Sequence, residues 1–286
     1  MVYQETRYLL KNQGLAPTKK LGQNFLVHRQ TAERIVDLAG ITRQDTILEI
    51  GVGLGALTIP LAQAAGQVIG LEADSGMIRL HKEQRILPEN VKLLHLDVLK
   101  ADFKDLVQQC GGRLKIIANL PYSISSPFLF KLIKHHNLLD FAVVMLQKEV
   151  ALRLLAKPGS KEYGVPTVLM ASCAEVKMLM QVKPEEFHPR PKVDSAIIRL
   201  AFQTIPALVQ EIGPIDYPLL RTVVNGAFGQ RRKTLLNALS ATGILTKPLL
   251  AECIAEAELP PLIRAERLTL KDFVQLSRGI ARRTEK

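Results

Sequence analysis

Asn119-Leu120-Pro121-Tyr122 follow the apolar run Leu114-Lys115-Ile116-Ile117-Ala118, so a carboxamide, a stiff turn and an aromatic ring stand at the end of a segment that reads as a buried strand. This set suits a planar exocyclic amine such as N6 of adenine, a poor nucleophile because its lone pair is delocalised into the ring. The Asn119 side-chain oxygen can accept one hydrogen bond from the amine, and the Leu120 carbonyl, aimed by the proline that follows it, can accept another. Two acceptors draw the nitrogen toward tetrahedral geometry and release its lone pair. Tyr122 offers a face for the base to stack on, an interaction worth about 1–3 kcal/mol per base in nucleic-acid complexes. The same four residues also make an ordinary Asn- and Pro-containing turn, so the elements upstream must decide between the readings.

Those elements are strands that end in polar groups. Thr46-Ile47-Leu48-Glu49-Ile50 reads as a buried strand and runs into Gly51-Val52-Gly53-Leu54-Gly55 before a helical pattern from Ala56 to Ala65. Glycines permit the sharp turn and let a ligand approach the main chain. Dinucleotide enzymes use a similar turn but place their third glycine one residue later, where Ala56 stands; a small residue is tolerated there, so the turn alone leaves both ligands open. A second strand, Gln67 to Leu71, ends at Glu72, where an acidic residue can bond both hydroxyls of a ribose. A third, Val91 to Leu96, ends at Asp97, which can accept from an exocyclic adenine amine. Acidic residues after strands also cap helices. Four strand-end features in order nevertheless converge on one adenosine-bearing ligand, at the carboxyl ends where open α/β sheets bind their ligands. Nothing after the second strand supplies a place for hydride chemistry.

With Lys20-Leu21-Gly22-Gln23-Asn24-Phe25-Leu26 and Phe187-His188-Pro189-Arg190-Pro191-Lys192-Val193-Asp194-Ser195, these segments resemble the signature segments of the ribosomal RNA adenine dimethyltransferases. Met145-Leu146-Gln147-Lys148-Glu149-Val150 and Phe228-Gly229-Gln230-Arg231-Arg232-Lys233-Thr234-Leu235 look more like the bacterial small-subunit branch, which dimethylates two neighbouring adenosines near the 3′ end of that RNA. The alternative branch methylates large-subunit RNA in macrolide resistance and usually carries isoleucine where Leu120 stands. A third reading is a non-catalytic RNA-binding assembly factor, against which the intact tetrapeptide speaks. The resemblance implies S-adenosyl-L-methionine as donor, S-adenosyl-L-homocysteine as product and no metal. It implies a cofactor site of Asn24, Leu26, Gly51, Gly53, Glu72, Asp97 and Asn119. Around the target adenine it implies Asn119, Leu120, Tyr122 and Phe187, the last as a second aromatic wall facing Tyr122 from a proline-rich loop. His188 departs from the family, where small or hydrophobic residues are common, and is given no catalytic role.

Methyl transfer from a sulfonium is an in-line displacement on an activated carbon, so the protein supplies position and electrostatics. The N6 proton can leave to solvent afterwards, which makes Asn119 an orienter and polariser, not a general base. Cys110, Cys173 and Cys253 form no Cys-x-x-Cys pair, which argues against zinc and against a disulfide framework and fits a reducing cytosol. No apolar stretch approaches the length of about 20 residues that a membrane span needs, and the first twenty residues lack a signal peptide's apolar centre, so a cytoplasmic protein is expected. The formal net charge of +11 favours a polyanionic partner. That partner is expected to be small-subunit rRNA or a pre-30S particle, bound by a monomer with no membrane. Lys19, Lys20, Lys148, Arg153, Arg190 and Lys192 are candidate phosphate contacts, as are Arg231, Arg232 and Lys233, which are expected to begin a C-terminal helix.

The expected architecture is α/β: a Rossmann-like class I S-adenosylmethionine-dependent methyltransferase sheet with a second, smaller all-α C-terminal domain. Strands and helices alternate to about Met145. Glu175 to Val182 and Ser195 to Phe202 read as strands at the sheet edge, with the Phe187 loop between them. Gln203-Thr204-Ile205-Pro206 is the expected boundary, giving a catalytic domain over 1–205 and a helical RNA-recognition domain over 206–286. In the latter, helices are expected at Tyr217 to Phe228, Lys233 to Ala241, Lys247 to Ala257 and Leu270 to Arg282, with Thr269 capping the last.

Overall fold

The computed structural model describes residues 23–202 and 206–284. The expectations for Lys19, Lys20, Leu21 and Gly22, and for residues 203–205, lie outside the described residues.

A seven-stranded sheet organises the first unit. Its strands are β2 (Thr46–Ile50), β3 (Gln67–Glu72), β4 (Val91–His95), β5 (Leu114–Asn119), β6 (Leu139–Gln147), β7 (Glu175–Val182) and β9 (Ser195–Ala201), in the spatial order β4-β3-β2-β5-β6-β9-β7. The first five run parallel, and β9 returns antiparallel against β6. Parallel strands are covered on both faces, and this explains why they read as continuous apolar runs; every residue of β6 except Gln147 is buried. The chain steps from β2 outward through β3 and β4 and then returns to the other side of β2 as β5. Such a reversal opens a crevice at the carboxyl ends of the two central strands. At the opposite ends, Lys115 pairs with Asp45 and lies 3.8 Å from Asp140, tying the starts of β5 and β6 to the loop before β2.

Helix α1 (Arg29–Ala39) buries Ala32, Ile35, Val36 and Ala39, an i, i+3, i+4, i+7 stripe. It shares one core with Ile47, Leu61, Val68, Val143 and Ile197. Helix α2 (Thr58–Ala64) follows the glycine turn, and α3 (Ser75–Gln84) is capped by Asp74, whose side chain accepts from the Gly76 amide at 2.8 Å.

Two short strands differ from the sequence expectation of loops. β1 (Phe25–Leu26) pairs antiparallel with β8 (Phe187–His188), setting Phe25 opposite His188 and Leu26 opposite Phe187. Val27 donates to the Glu186 carbonyl at 2.9 Å, and the Thr31 hydroxyl donates to the Glu186 carboxylate at 2.7 Å.

The second unit comprises Leu152–Glu175 together with the described residues from Pro206 on. Helix Val165–Ala171 and its flanks cluster with the C-terminal helices, whereas the sequence expectation of a catalytic domain over 1–205 placed them with the sheet. The Tyr163 hydroxyl donates to the Leu268 carbonyl at 2.8 Å, the Tyr217 hydroxyl donates to the Ser172 carbonyl at 3.1 Å, and the Phe228 ring lies 6.1 Å from Tyr163 and 5.9 Å from Phe273. The four expected C-terminal helices form at Tyr217–Gly229, Leu235–Ser240, Lys247–Glu256 and Leu270–Thr284, and a further one at Ala207–Ile212. Thr269 caps the last through a reciprocal pair: its amide donates to Asp272 at 2.7 Å, and the Asp272 amide donates to the Thr269 hydroxyl at 3.2 Å. No helix among the described residues is long and apolar enough to cross a membrane.

Candidate active site

The turn after β2 rests on two glycine conformations. Gly51 has φ 82° and Gly53 φ 54°, in the left-handed region that side chains disfavour. Space is short as well: a Cβ on Gly51 would stand 3.1 Å from the Asn119 carbonyl oxygen, and one on Gly53 would stand 3.2 Å from the Phe25 ring. The Gly53 peptide is held at both ends. Its amide donates to Glu72 Oε2 at 2.8 Å, and its carbonyl lies 2.7 Å from His81 Nε2. Burial pushes the His81 pKa down, so the neutral ring donates from Nε2 to that carbonyl. The second Glu72 oxygen accepts from the Asp74 amide at 2.8 Å. A Gly51→Ala change is expected to lower stability by about 1–2 kcal/mol through left-handed strain and to weaken cofactor binding about tenfold. Thermal unfolding and titration calorimetry read the two effects.

Above this turn lies a cavity lined by every residue of the expected cofactor set: Asn24, Leu26, Gly51, Gly53, Glu72, Asp97 and Asn119. Three strand ends, the glycine turn and β1 thus meet at one place. The Asn119 Nδ2 donates to the Asn24 carbonyl at 3.2 Å, which points the carboxamide's acceptor end elsewhere. Gln23 Nε2 donates to Asp74 Oδ2 at 3.0 Å, linking the segment before β1 to the end of β3. Asp97 accepts from the Leu99 amide at 2.9 Å.

Glu49 also lines the cavity, and sequence reasoning did not single it out. It is 0% exposed, and neither of its carboxylate oxygens has a hydrogen-bond partner in the described structure. Burial, reinforced by the negative charge of Glu72 and partly offset by the Thr58 hydroxyl, pushes its pKa up to about 8. The signal was an acid in the middle of an otherwise apolar strand pattern.

Around the tetrapeptide, Pro121, Ser123 and Ile124 line the cavity while the Leu120 side chain is buried in the core. Tyr122 is half-buried, and its hydroxyl is 2.6 Å from Ser195 Oγ. Phe187 departs from expectation. It is 1% exposed and packs in the core that includes Leu26, Ile35 and Val182; like Tyr122, it is not among the cavity-lining residues. Pairing of β8 with β1 turns its ring inward, so in this arrangement it offers no wall facing Tyr122.

The basic candidates are dispersed over the two units. Lys148 is engaged with Asp194 at 3.4 Å, while Arg190 and Lys192 are exposed in the segment before β9. Arg231, Arg232 and Lys233 are exposed but do not begin a helix. They form the turn between Tyr217–Gly229 and Leu235–Ser240, and Thr234 is the N-cap of the latter. Arg231 is partly occupied, donating to the Lys161 carbonyl and lying 3.7 Å from Glu266. Cys173 and Cys253 are buried and Cys110 is half-buried. Among the described residues no group of His, Cys, Asp and Glu could hold a metal ion.

A parallel sheet with a reversed strand beside β6, a glycine turn after β2 and acidic residues at the next two strand ends define a class I S-adenosylmethionine-dependent methyltransferase. A crystal structure of a dimethyladenosine transferase from Plasmodium falciparum superposes with a TM-score of 0.71 at 28% identity, covering 88% of this chain and 95% of that one. The 23S rRNA methyltransferase ErmE shares the fold, with a TM-score of 0.64 at 23% identity over 90% of this chain and all of that one. The family model for ribosomal RNA adenine dimethylase matches residues 15–261, and the chain belongs to that family. It is 51% identical over 284 residues to the ribosomal RNA small subunit methyltransferase A of Desulfotalea psychrophila, covering 96% of this chain and 95% of the relative. To the protein of the same name from Magnetococcus marinus it is 43% identical over 275 residues, covering 96% of each. The protein is thus an S-adenosylmethionine-dependent rRNA adenine methyltransferase.

Proposed function

We propose that the protein methylates N6 of two adjacent adenosines in the 3′-terminal hairpin of small-subunit rRNA, giving N6,N6-dimethyladenosine during assembly of that subunit in the cytoplasm. The observation that carries this reading is the Asn119 carboxamide, whose donor end is held by the Asn24 carbonyl so that its acceptor end is left for a substrate amine. The names and identities of the two bacterial relatives support the small-subunit target over the large-subunit one.

The cavity's residues suit the cofactor. Gly51 and Gly53 line the cavity without side chains, and the unpartnered Glu49 carboxylate suits the cationic methionine end. Glu72 accepts from the ribose hydroxyls with lone pairs that Gly53 and Asp74 do not use, and Asp97 accepts from the adenine amine. Asn24 and Leu26 cover the site from β1, which Phe187 braces across the strand pair. When bound there, S-adenosylmethionine supplies a methyl group activated by positive sulfur. The protein's own part is to hold the acceptor amine with Asn119 Oδ1 and the Leu120 carbonyl, to stack the base on Tyr122, and to exclude water. Lys148, Arg190 and Lys192 in the sheet unit and Arg231, Arg232 and Lys233 in the helical unit meet RNA phosphates. RNA affinity is accordingly expected to fall about a hundredfold between roughly 50 and 200 mM salt if about four phosphates are contacted. A filter-binding titration that stayed flat would remove the electrostatic docking.

Mass mapping of modified adenosines in both ribosomal RNAs, from cells with and without the gene, tests the target. Loss of adjacent dimethyladenosines from the small-subunit RNA alone is expected. Loss from the large-subunit RNA, or from neither, would contradict the reading.

A further inference from the structure

Tyr122 and Ser195 come from segments that are remote in sequence, the turn after β5 and the start of β9, yet their hydroxyls are 2.6 Å apart. Ser195 is 0% exposed and sits opposite Gln147 at the carboxyl end of β6, so its position is fixed by the strand ladder. Tyr122 is half-buried and opens a three-residue 3₁₀ turn, Tyr122–Ile124, so it lacks the strand pairing that fixes Ser195. A phenol ring has two rotatable side-chain bonds, and a tether at its tip restricts both.

We propose that Ser195 is a positioning residue for methyl transfer: its hydroxyl fixes the Tyr122 ring in the orientation in which the target base stacks. The inference rests on the stacking role assigned to Tyr122 above. A free ring pays its ordering cost at the moment the base arrives, whereas a tethered one has paid it on folding. Burial pushes the Tyr122 pKa up, so the phenol keeps its proton and the bond persists through the neutral range. The bond also couples the amine-binding tetrapeptide to the segment that carries Arg190 and Lys192, without either residue touching the reacting atoms.

The test is a double-mutant cycle on the full chain with small-subunit particles lacking the modification. Ser195→Ala and Tyr122→Phe are each expected to lower kcat about three- to tenfold, the range that follows from ordering one rotatable side chain. KM for the particle and the calorimetric Kd for S-adenosylhomocysteine are expected to stay near wild type, which a general packing defect would not allow, while Tm falls by a few degrees at most because Tyr122→Phe leaves the buried Ser195 hydroxyl without its partner. The double variant is expected to be no worse than either single one, because both remove the same bond. Multiplying effects in the double variant, or a wild-type Ser195→Ala beside an impaired Tyr122→Phe, would overturn the positioning role. Tyr122→Ala separates the two readings. If it is inactive while Ser195→Ala and Tyr122→Phe are both normal, the tether fails and the stacking face stands; if it is fully active, both fall.

Discussion

Replacing Asn119 by alanine is expected to cut single-turnover methyl transfer by about a hundred- to a thousandfold, the scale seen when one preorganised hydrogen-bond group is removed from a reaction centre. S-adenosylmethionine affinity should stay within about tenfold. The two effects divide because the side chain has two ends. Its Nδ2 donates to the Asn24 carbonyl at 3.2 Å and so steadies β1 over the cavity, a contribution to cofactor binding that alanine removes. Its Oδ1 is the acceptor for the substrate amine, and nothing in the alanine variant replaces it. Without that acceptor the amine keeps its lone pair in the ring and is held only by the Leu120 carbonyl. Rapid-quench assays with saturating cofactor and RNA read the transfer step, and calorimetry reads the binding. A variant that transferred at near wild-type rate would show that Asn119 belongs to the turn and not to the chemistry.

Glu49→Gln is expected to remove a pH dependence that wild type carries in both cofactor binding and stability. The Glu49 pKa is pushed up to about 8 against an ordinary 4.5, chiefly by burial, so the carboxyl is mostly neutral at pH 7 in the protein without cofactor. A cationic ligand end favours the ionised form and lowers the carboxyl's pKa in the complex, so binding releases a proton in the pH window between that lowered value and about 8. Wild-type affinity should therefore rise by up to tenfold per pH unit on approaching pH 8 and level off beyond it, while the Gln variant stays flat. For folding the sign is opposite. A group whose folded pKa is raised contributes most below its unfolded value near 4.5, and that contribution is lost as pH rises through about 8. Each unit of pKa difference corresponds to roughly 1.4 kcal/mol, so at pH 8 and above the cofactor-free Gln variant should be more stable than wild type by a few kcal/mol. Calorimetry in buffers of different ionisation enthalpy counts the released proton directly. Proton-neutral binding at pH 7 would show that Glu49 does not face the cationic end.

Much of this site is legible in the sequence because its parts are encoded locally. A strand that ends in glycines must turn there, and an acid that ends an apolar run must sit at the sheet's carboxyl edge; Gly51, Glu72, Asp97 and Asn119 are all found by that logic, and all line one cavity. Thr269 is readable for the same reason, since a cap is a property of adjacent residues. Phe187 is not, because its burial depends on pairing with Leu26 across most of the catalytic unit, through strands of two residues with no periodicity to detect. The helix at Val165–Ala171 is hidden similarly: its allegiance to the C-terminal helices is set by long-range contacts of Tyr163 and Ser172, not by composition. Arg231 to Lys233 were readable in principle, since Thr234 followed by Leu-Leu-Asn is a better helix start than a basic triplet. The Glu49 carboxyl and the His81 clamp on Gly53 lie between these cases, visible as polar residues in apolar patterns but without partners that spacing could name.

A structure of the protein with S-adenosylhomocysteine and an RNA hairpin carrying the two adenosines tests the account most directly. It is expected to show the cofactor ribose on Glu72 and one everted adenine on Tyr122, with its N6 within about 3 Å of both Asn119 Oδ1 and the Leu120 carbonyl. An adenine whose N6 lay beyond hydrogen-bond reach of Asn119 while the cofactor occupied the cavity would contradict it.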